Sequence, residues 1–247
     1  MQGPVAEPME RGNVFANAYK TRLLLHLAAS THLGYATYYD YVYAQLPPLA
    51  VEMGLEAPIG GKLKYMTFLC GLLQFTYYSL ALAYDVVRVR RLKLLRDYML
   101  ASFVVPLALT VSLTFWTLYA IDRESIYPGL LDLIYPVWLN QTMHTIVVVY
   151  ALVELCVTQH RYPARSKGLA GLGAFLVAYL AWIHYVWLRT GVWAYPFLGA
   201  LAGPVRLVFF AVIVVLAFAY YLFGERMNSI LWPRANCGGG RRWSSSE

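Results

Sequence analysis

Long apolar runs, broken at intervals by short polar links, dominate the chain. Six stand out, near residues 23–45, 65–87, 97–120, 134–157, 169–188 and 202–224. A helix needs roughly 20 predominantly apolar residues to cross a bilayer. The pattern therefore predicts an all-α membrane protein, a single bundle of about six transmembrane helices. The first run is the weakest, because His26, His32 and Asp40 interrupt it. Links this short, rich in Pro, Gly and basic residues, predict one bundle and not two domains. The expected organisation is an amino tail over 1–22, a helical bundle over 23–228, and a disordered carboxyl tail over 229–247. Gly-Gly-Gly-Arg-Arg and Ser-Ser-Ser mark that last segment.

Composition agrees. Of 247 residues, 60% are hydrophobic and 13% charged, with a mean hydropathy of +0.51. A soluble domain carries about a quarter charged residues. The 21 tyrosines suit a membrane–water boundary, where an apolar ring and a polar tip are both satisfied. A net charge of +7 would suggest nucleic acid in a soluble protein. Here it reports topology, and no nucleic-acid partner is expected. Fifteen of the twenty Lys and Arg fall in the amino tail, the second and fourth links and the carboxyl tail. Five (Lys62, Lys64, Arg123, Arg189 and Arg206) fall on the other side. The positive-inside rule then predicts both termini in the cytosol. No signal-peptide core follows Met1, so the first helix is expected to stay. Cys70 and Cys156 belong to opposite halves of the bilayer, which predicts no structural disulfide, and Cys237 beside a basic tail is a candidate for palmitoylation.

His144 is the most informative residue, lying about ten residues into the fourth apolar run. An ionisable side chain inside a membrane helix is costly and marks a functional hypothesis. Its alternative role is a hydrogen bond to a neighbouring helix. Asn140, Gln141, His144 and Thr145 share one helical arc, so that arc must face the bundle interior or a wet cavity. On the second run Lys64, Thr67, Gly71, Gln74 and Tyr78 recur at helical spacing. A Thr there ordinarily bonds its own i−4 carbonyl. At 1.5 Å per residue, Thr67 lies roughly 5 Å and His144 roughly 12 Å below the outer boundary, so the two can meet. His184, amid Trp182, Tyr185 and Trp187, reads as an interfacial anchor. His26 and His32 do not share a face, and His160 falls in a cytosolic link. Five scattered His predict no metal site.

From Gly60 to about Asn228 the chain resembles the androgen-induced protein / androgen-dependent TFPI-regulating protein family. The resemblance rests on Gly60-Gly61-Lys62-Leu63-Lys64-Tyr65-Met66-Thr67, Arg96-Asp97, Asp122 to Pro128, Trp138 to Thr145, Tyr162-Pro163, Trp193-Ala194-Tyr195-Pro196, and Leu222 to Glu225 with Asn228. The family comprises multispanning membrane hydrolases. The resemblance implies a Thr nucleophile at Thr67, a His partner at His144, and fatty acid esters of hydroxy fatty acids as substrates. It implies no cofactor, and residence in the endoplasmic reticulum and/or plasma membrane. Gln141 stands where the pattern has a second His. A neutral imidazole suits the task of taking the Thr proton near pH 7. Asn140, Gln141 or the N–H groups near Gly60 and Gly61 are candidate oxyanion or orienting donors. Lys62, Lys64 and Arg206 are candidates to hold the substrate carboxylate, or snorkelling cations. Two other classes remain open: a haem-binding electron carrier using His144 and His184, and a non-catalytic channel or scaffold.

Overall fold

The computed structural model describes residues 8–48, 52 and 56–233. Its long helices are α1 (Pro8–Val42), α2 (Met66–Val87), α3 (Arg90–Ile121), α4 (Val137–Val157), α5 (Arg165–Thr190) and α6 (Gly203–Leu231). Short helical turns occupy Gly61–Lys64, Arg123–Ile126, Gly129–Leu133 and Pro196–Ala200. Five of the six long helices, α2 to α6, are long and apolar enough to cross a membrane. The 35-residue α1 has the length but not the apolarity; its His26, His32 and Asp40 make contacts inside the bundle. It also begins at Pro8, within the segment expected as an amino tail, and α6 continues to Leu231. The rest of the expected carboxyl tail, with Cys237, lies outside the described residues.

Close helix approach depends on small residues, as membrane packing requires. Gly34 on α1 admits the Phe75 ring, and a Cβ at Gly168 would collide with the Tyr221 hydroxyl. The main apolar core draws on Leu33, Tyr77, Leu100, Leu107, Leu155, Leu172 and Tyr221 from all six long helices. The α2–α3 connection turns sharply at Arg88, whose φ of 56° is left-handed.

Two of the long helices contain a π-helical turn. In α3 it covers Leu100–Val104, just before Pro106. A proline ring clashes with the carbonyl four residues back, and a wider turn there relieves the clash. In α4 it covers Thr142–Ile146 and holds His144. No proline explains this second one. Its backbone is supported from outside: Trp116 Nε1 donates to the His144 carbonyl (3.2 Å), and Gln74 Nε2 donates to the Val147 carbonyl (3.1 Å).

At the end of the bundle bearing the 88–89 and 158–164 links, buried ionisable groups form one continuous chain. Arg22 meets Asp85 (3.2 Å), and Asp85 meets His26 Nδ1 (2.6 Å). Glu154 lies between His26 Nε2 (3.0 Å) and His160 Nε2 (3.1 Å). His160 Nδ1 meets Asp97 (3.0 Å), which pairs with Arg96 (2.8 Å). The Tyr77 hydroxyl also donates to Glu154 (2.8 Å). The sequence places His160 in a cytosolic link and gives His26 no partner. Both are in fact fully enclosed, because the chain ties α1, α2, α3 and α4 together across long sequence separations.

Candidate active site

Thr67 is the second residue of α2, and its side chain turns toward α4. Its Oγ1 lies 3.4 Å from His144 Nε2. Four helical threonines of this protein bond back to the i−4 carbonyl: Thr76 to Leu72, Thr110 to Pro106, Thr142 to Trp138 and Thr190 to Val186, at 2.7–2.8 Å. Thr67 does not. Its i−4 carbonyl, that of Leu63, accepts the Trp182 indole N–H (3.2 Å) instead.

The imidazole of His144 is fixed on its other side. Its Nδ1 faces two acceptors of Asn140, the backbone carbonyl (3.0 Å) and the side-chain Oδ1 (2.7 Å). A nitrogen between two carbonyl oxygens must carry the proton. Nε2 is then the lone-pair nitrogen, and it is the one aimed at Thr67. The Phe115 ring stacks on the imidazole with centroids 3.5 Å apart and planes 14° apart. An oriented, neutral base beside a hydroxyl is the arrangement that activates a nucleophile. The 3.4 Å separation is at the long end of a hydrogen bond, as unliganded sites often are.

Thr67 and His144 open onto a cavity of about 460 Å³. One part of its wall is polar, with Asp40, Glu56, Lys62, Tyr65 and Tyr135; the other is apolar, with Phe197, Phe209, Phe210, Ile213 and Val214. Burial raises the phenol pKa of Tyr65 and Tyr135 well above its ordinary value and pushes Tyr127 up to about 12. These phenols are therefore neutral hydrogen-bonding groups near pH 7. Lys62 donates to Asp40 Oδ1 (2.8 Å) and to the Ala44 carbonyl. An ammonium has three protons, so one remains.

The other sequence candidates fall elsewhere. Gln141 is exposed and accepts the Thr145 hydroxyl (2.8 Å), so it neither orients His144 nor reaches the cavity. Lys64 is buried against Glu56 (2.9 Å) and the Ala57 carbonyl (2.8 Å) and is not part of the cavity wall. Arg206 spends its guanidinium on the Leu198 and Leu201 carbonyls, both at 2.7 Å. Its planar donor fork secures the turn before α6 and does not face the cavity. Gly60 and Gly61 adopt positive φ (90° and 48°) and shape the entry to α2, but they do not line the cavity. His184 donates from Nδ1 to the Leu180 carbonyl (2.7 Å) and packs on Trp193 and Phe210, outside the cavity that holds His144. Among the described residues no cluster of His, Cys, Asp and Glu is arranged to hold a metal ion.

Sequence pattern does not single out Tyr195 as a site residue, although it lies in the Trp193 to Pro196 block. It lines the cavity and accepts the Met66 N–H, next to Thr67 in the chain (2.8 Å). Nothing in local spacing joins it to Thr67, since 128 residues separate them. Trp116, which supports the π turn, gave no signal either.

A multi-pass helical membrane protein with a threonine–histidine pair in a largely apolar internal cavity is the class these features define. A family model described as FAR-17a/AIG1-like protein matches residues 21–229, and the chain belongs to that family. It is 36% identical over 197 residues to androgen-induced gene 1 protein of Homo sapiens, covering 74% of this chain and 83% of that protein. It is 33% identical over 207 residues to androgen-dependent TFPI-regulating protein of Homo sapiens, covering 81% and 90%. The Mesocricetus auratus protein of the same description is 36% identical over 180 residues, covering 70% and 78%. No solved structure matches the chain.

Proposed function

We propose that this protein is an integral-membrane carboxylic ester hydrolase acting on fatty acid esters of hydroxy fatty acids, with Thr67 as nucleophile and His144 as general base. The observation that carries the reading is the His144 imidazole, donating its Nδ1 proton to two Asn140 oxygens and presenting Nε2 to the Thr67 hydroxyl at 3.4 Å. Nε2 takes the Thr67 proton as Oγ1 attacks the ester carbonyl. The tetrahedral intermediate collapses, and the ester C–O bond breaks. Nε2 returns the proton to the departing hydroxy fatty acid, leaving an acyl-threonine. Water, activated by the same nitrogen, then releases the second fatty acid.

The cavity suits such a substrate. Its apolar wall takes an acyl chain, and the spare Lys62 proton offers a partner for a free carboxylate. The substrate dissolves in the bilayer, so entry between helices is the natural route. The basic-residue asymmetry supports a topology with both termini in the cytosol, with the enzyme in the endoplasmic reticulum and/or plasma membrane.

The test is a fluorophosphonate probe on purified protein, with ester turnover measured alongside. Label should map to the peptide holding Thr67. Thr67→Ala should abolish both label and turnover, and Thr67→Ser should keep part of each. Turnover by a well-folded Thr67→Ala protein would overturn the assignment.

A further inference from the structure

We propose that the Tyr195 hydroxyl is the oxyanion donor of this site, a role that rests on the hydrolase reading above. Attack by Thr67 moves the carbonyl π electrons onto oxygen. That charge needs a preorganised donor beside the nucleophile. The donors that spacing suggested, Gln141 and the N–H groups of Gly60 and Gly61, lie outside the cavity wall. Asn140, whose side-chain oxygen faces His144, is not part of that wall either.

Tyr195 is in the right place. Its oxygen accepts the N–H of Met66 at 2.8 Å, in the first turn of α2. The Tyr179 hydroxyl lies 3.3 Å away. Tyr179 has one proton and two acceptors, Tyr195 and the Lys64 carbonyl (3.1 Å). If that proton goes to Tyr195, the Tyr195 proton has no acceptor among the described residues. If it goes to Lys64, the Tyr195 proton rests on the Tyr179 oxygen and can turn into the cavity while Tyr179 keeps its bond. In both cases the Tyr195 O–H is free to turn into the cavity. Donors arriving at its oxygen polarise that O–H and strengthen it.

The ring cannot wander. It meets Tyr65 edge-on, with centroids 5.8 Å apart, and lies 5.9 Å from Phe197. Pro196 begins the next helical turn immediately after it. Burial raises the Tyr195 phenol pKa, with the hydrogen bonds from Tyr179 and the Met66 and Thr67 N–H groups acting against that rise. The group keeps its proton near neutral pH. In the reaction Tyr195 gives a hydrogen bond to the oxyanion and transfers no proton. The proton cycle stays between Thr67, His144 Nε2 and the leaving alkoxide.

Tyr195→Phe tests this in purified protein with two inhibitors. A trifluoromethyl ketone forms a hemiketal with the nucleophile and carries the oxyanion. An ether analogue of the ester has none. Loss of one oxyanion donor costs roughly 10²- to 10³-fold in kcat. Tyr195→Phe should therefore lower kcat by about 10²-fold and weaken the ketone by a similar factor, with ether affinity and KM within about threefold. Equal weakening of both inhibitors would mean a damaged cavity and would overturn the proposal. So would ketone affinity and kcat within about threefold of the parent, while Thr67→Ala remains inactive. An active Thr67→Ala protein would instead remove the hydrolase reading beneath it. Should Tyr195→Phe fail to fold, difluorotyrosine at 195 keeps the hydroxyl and lowers its pKa. The kcat profile should then gain an alkaline fall, and an unchanged profile would refute the role.

Discussion

The two ends of this bundle handle buried polarity in opposite ways. At the end of the 88–89 and 158–164 links, Arg22, Asp85, His26, Glu154, His160, Asp97 and Arg96 form a closed chain. Each of its imidazoles has both nitrogens on carboxylates. With those carboxylates ionised, both nitrogens must donate, and no lone pair is left for chemistry. At the cavity end the imidazole of His144 is fixed on one nitrogen only. Its other nitrogen faces a hydroxyl that has escaped the usual bond to its own helix. The contrast separates buried charge that holds helices together from buried polarity poised to react. Saturation marks the first. A single directed, unsaturated lone pair marks the second.

The largest expected effect breaks the cavity end. His144→Ala should lower ester turnover by roughly 10²- to 10⁴-fold, the range of general-base losses. The thermal transition should move little, because the residue removed contributes only a few polar contacts. Unimpaired turnover by this variant would remove His144 from the chemistry. The converse variant breaks the other end. Glu154→Gln keeps the shape but leaves His26 and His160 facing each other without the shared carboxylate. Breaking a buried ion pair costs about 3–5 kcal/mol, so the variant should unfold at a clearly lower temperature in detergent. Turnover per folded molecule should stay within about threefold. A stable but inactive Glu154→Gln protein would show that the comparison is drawn in the wrong place.

Sequence pattern made one end far more legible than the other. His144 stood out because a titratable group in an apolar run is conspicuous, and Thr67 because it fell on a stripe with Gly71 and Gln74. Glu154 carries the same kind of signal within the same run, and Asp85 closes the second one, but position alone gives neither a role. Their meaning depends on His26 and His160, which approach only once α1 and the 158–164 link pack. Lys64 and Arg206 illustrate the reverse error. Each looked available by position, and each is committed to local carbonyls or a carboxylate. The π turn around His144 was also hidden, because its support comes from Trp116 and Gln74 on other helices. Helix existence follows from hydropathy. Side-chain commitments follow from packing, which a single sequence does not display.

The smallest effect sharpens the comparison most. Asn140→Ala removes one of the two acceptors of His144 Nδ1 and leaves the other, the backbone carbonyl at 3.0 Å. The proton should therefore stay on Nδ1, and Nε2 should still face Thr67. A single neutral hydrogen bond is worth about 0.5–1.5 kcal/mol, so turnover should fall by only about 2- to 10-fold. Asn140→Asp makes the sign of the effect testable. A carboxylate beside the imidazole favours imidazolium over the neutral base. The base form then appears at higher pH, and the acid limb of the kcat/KM profile should move upward relative to the parent. A loss in Asn140→Ala as deep as that in His144→Ala would mean that Asn140 does more than orient the ring. A direct hand in holding the oxyanion would be the first role to examine, in competition with Tyr195.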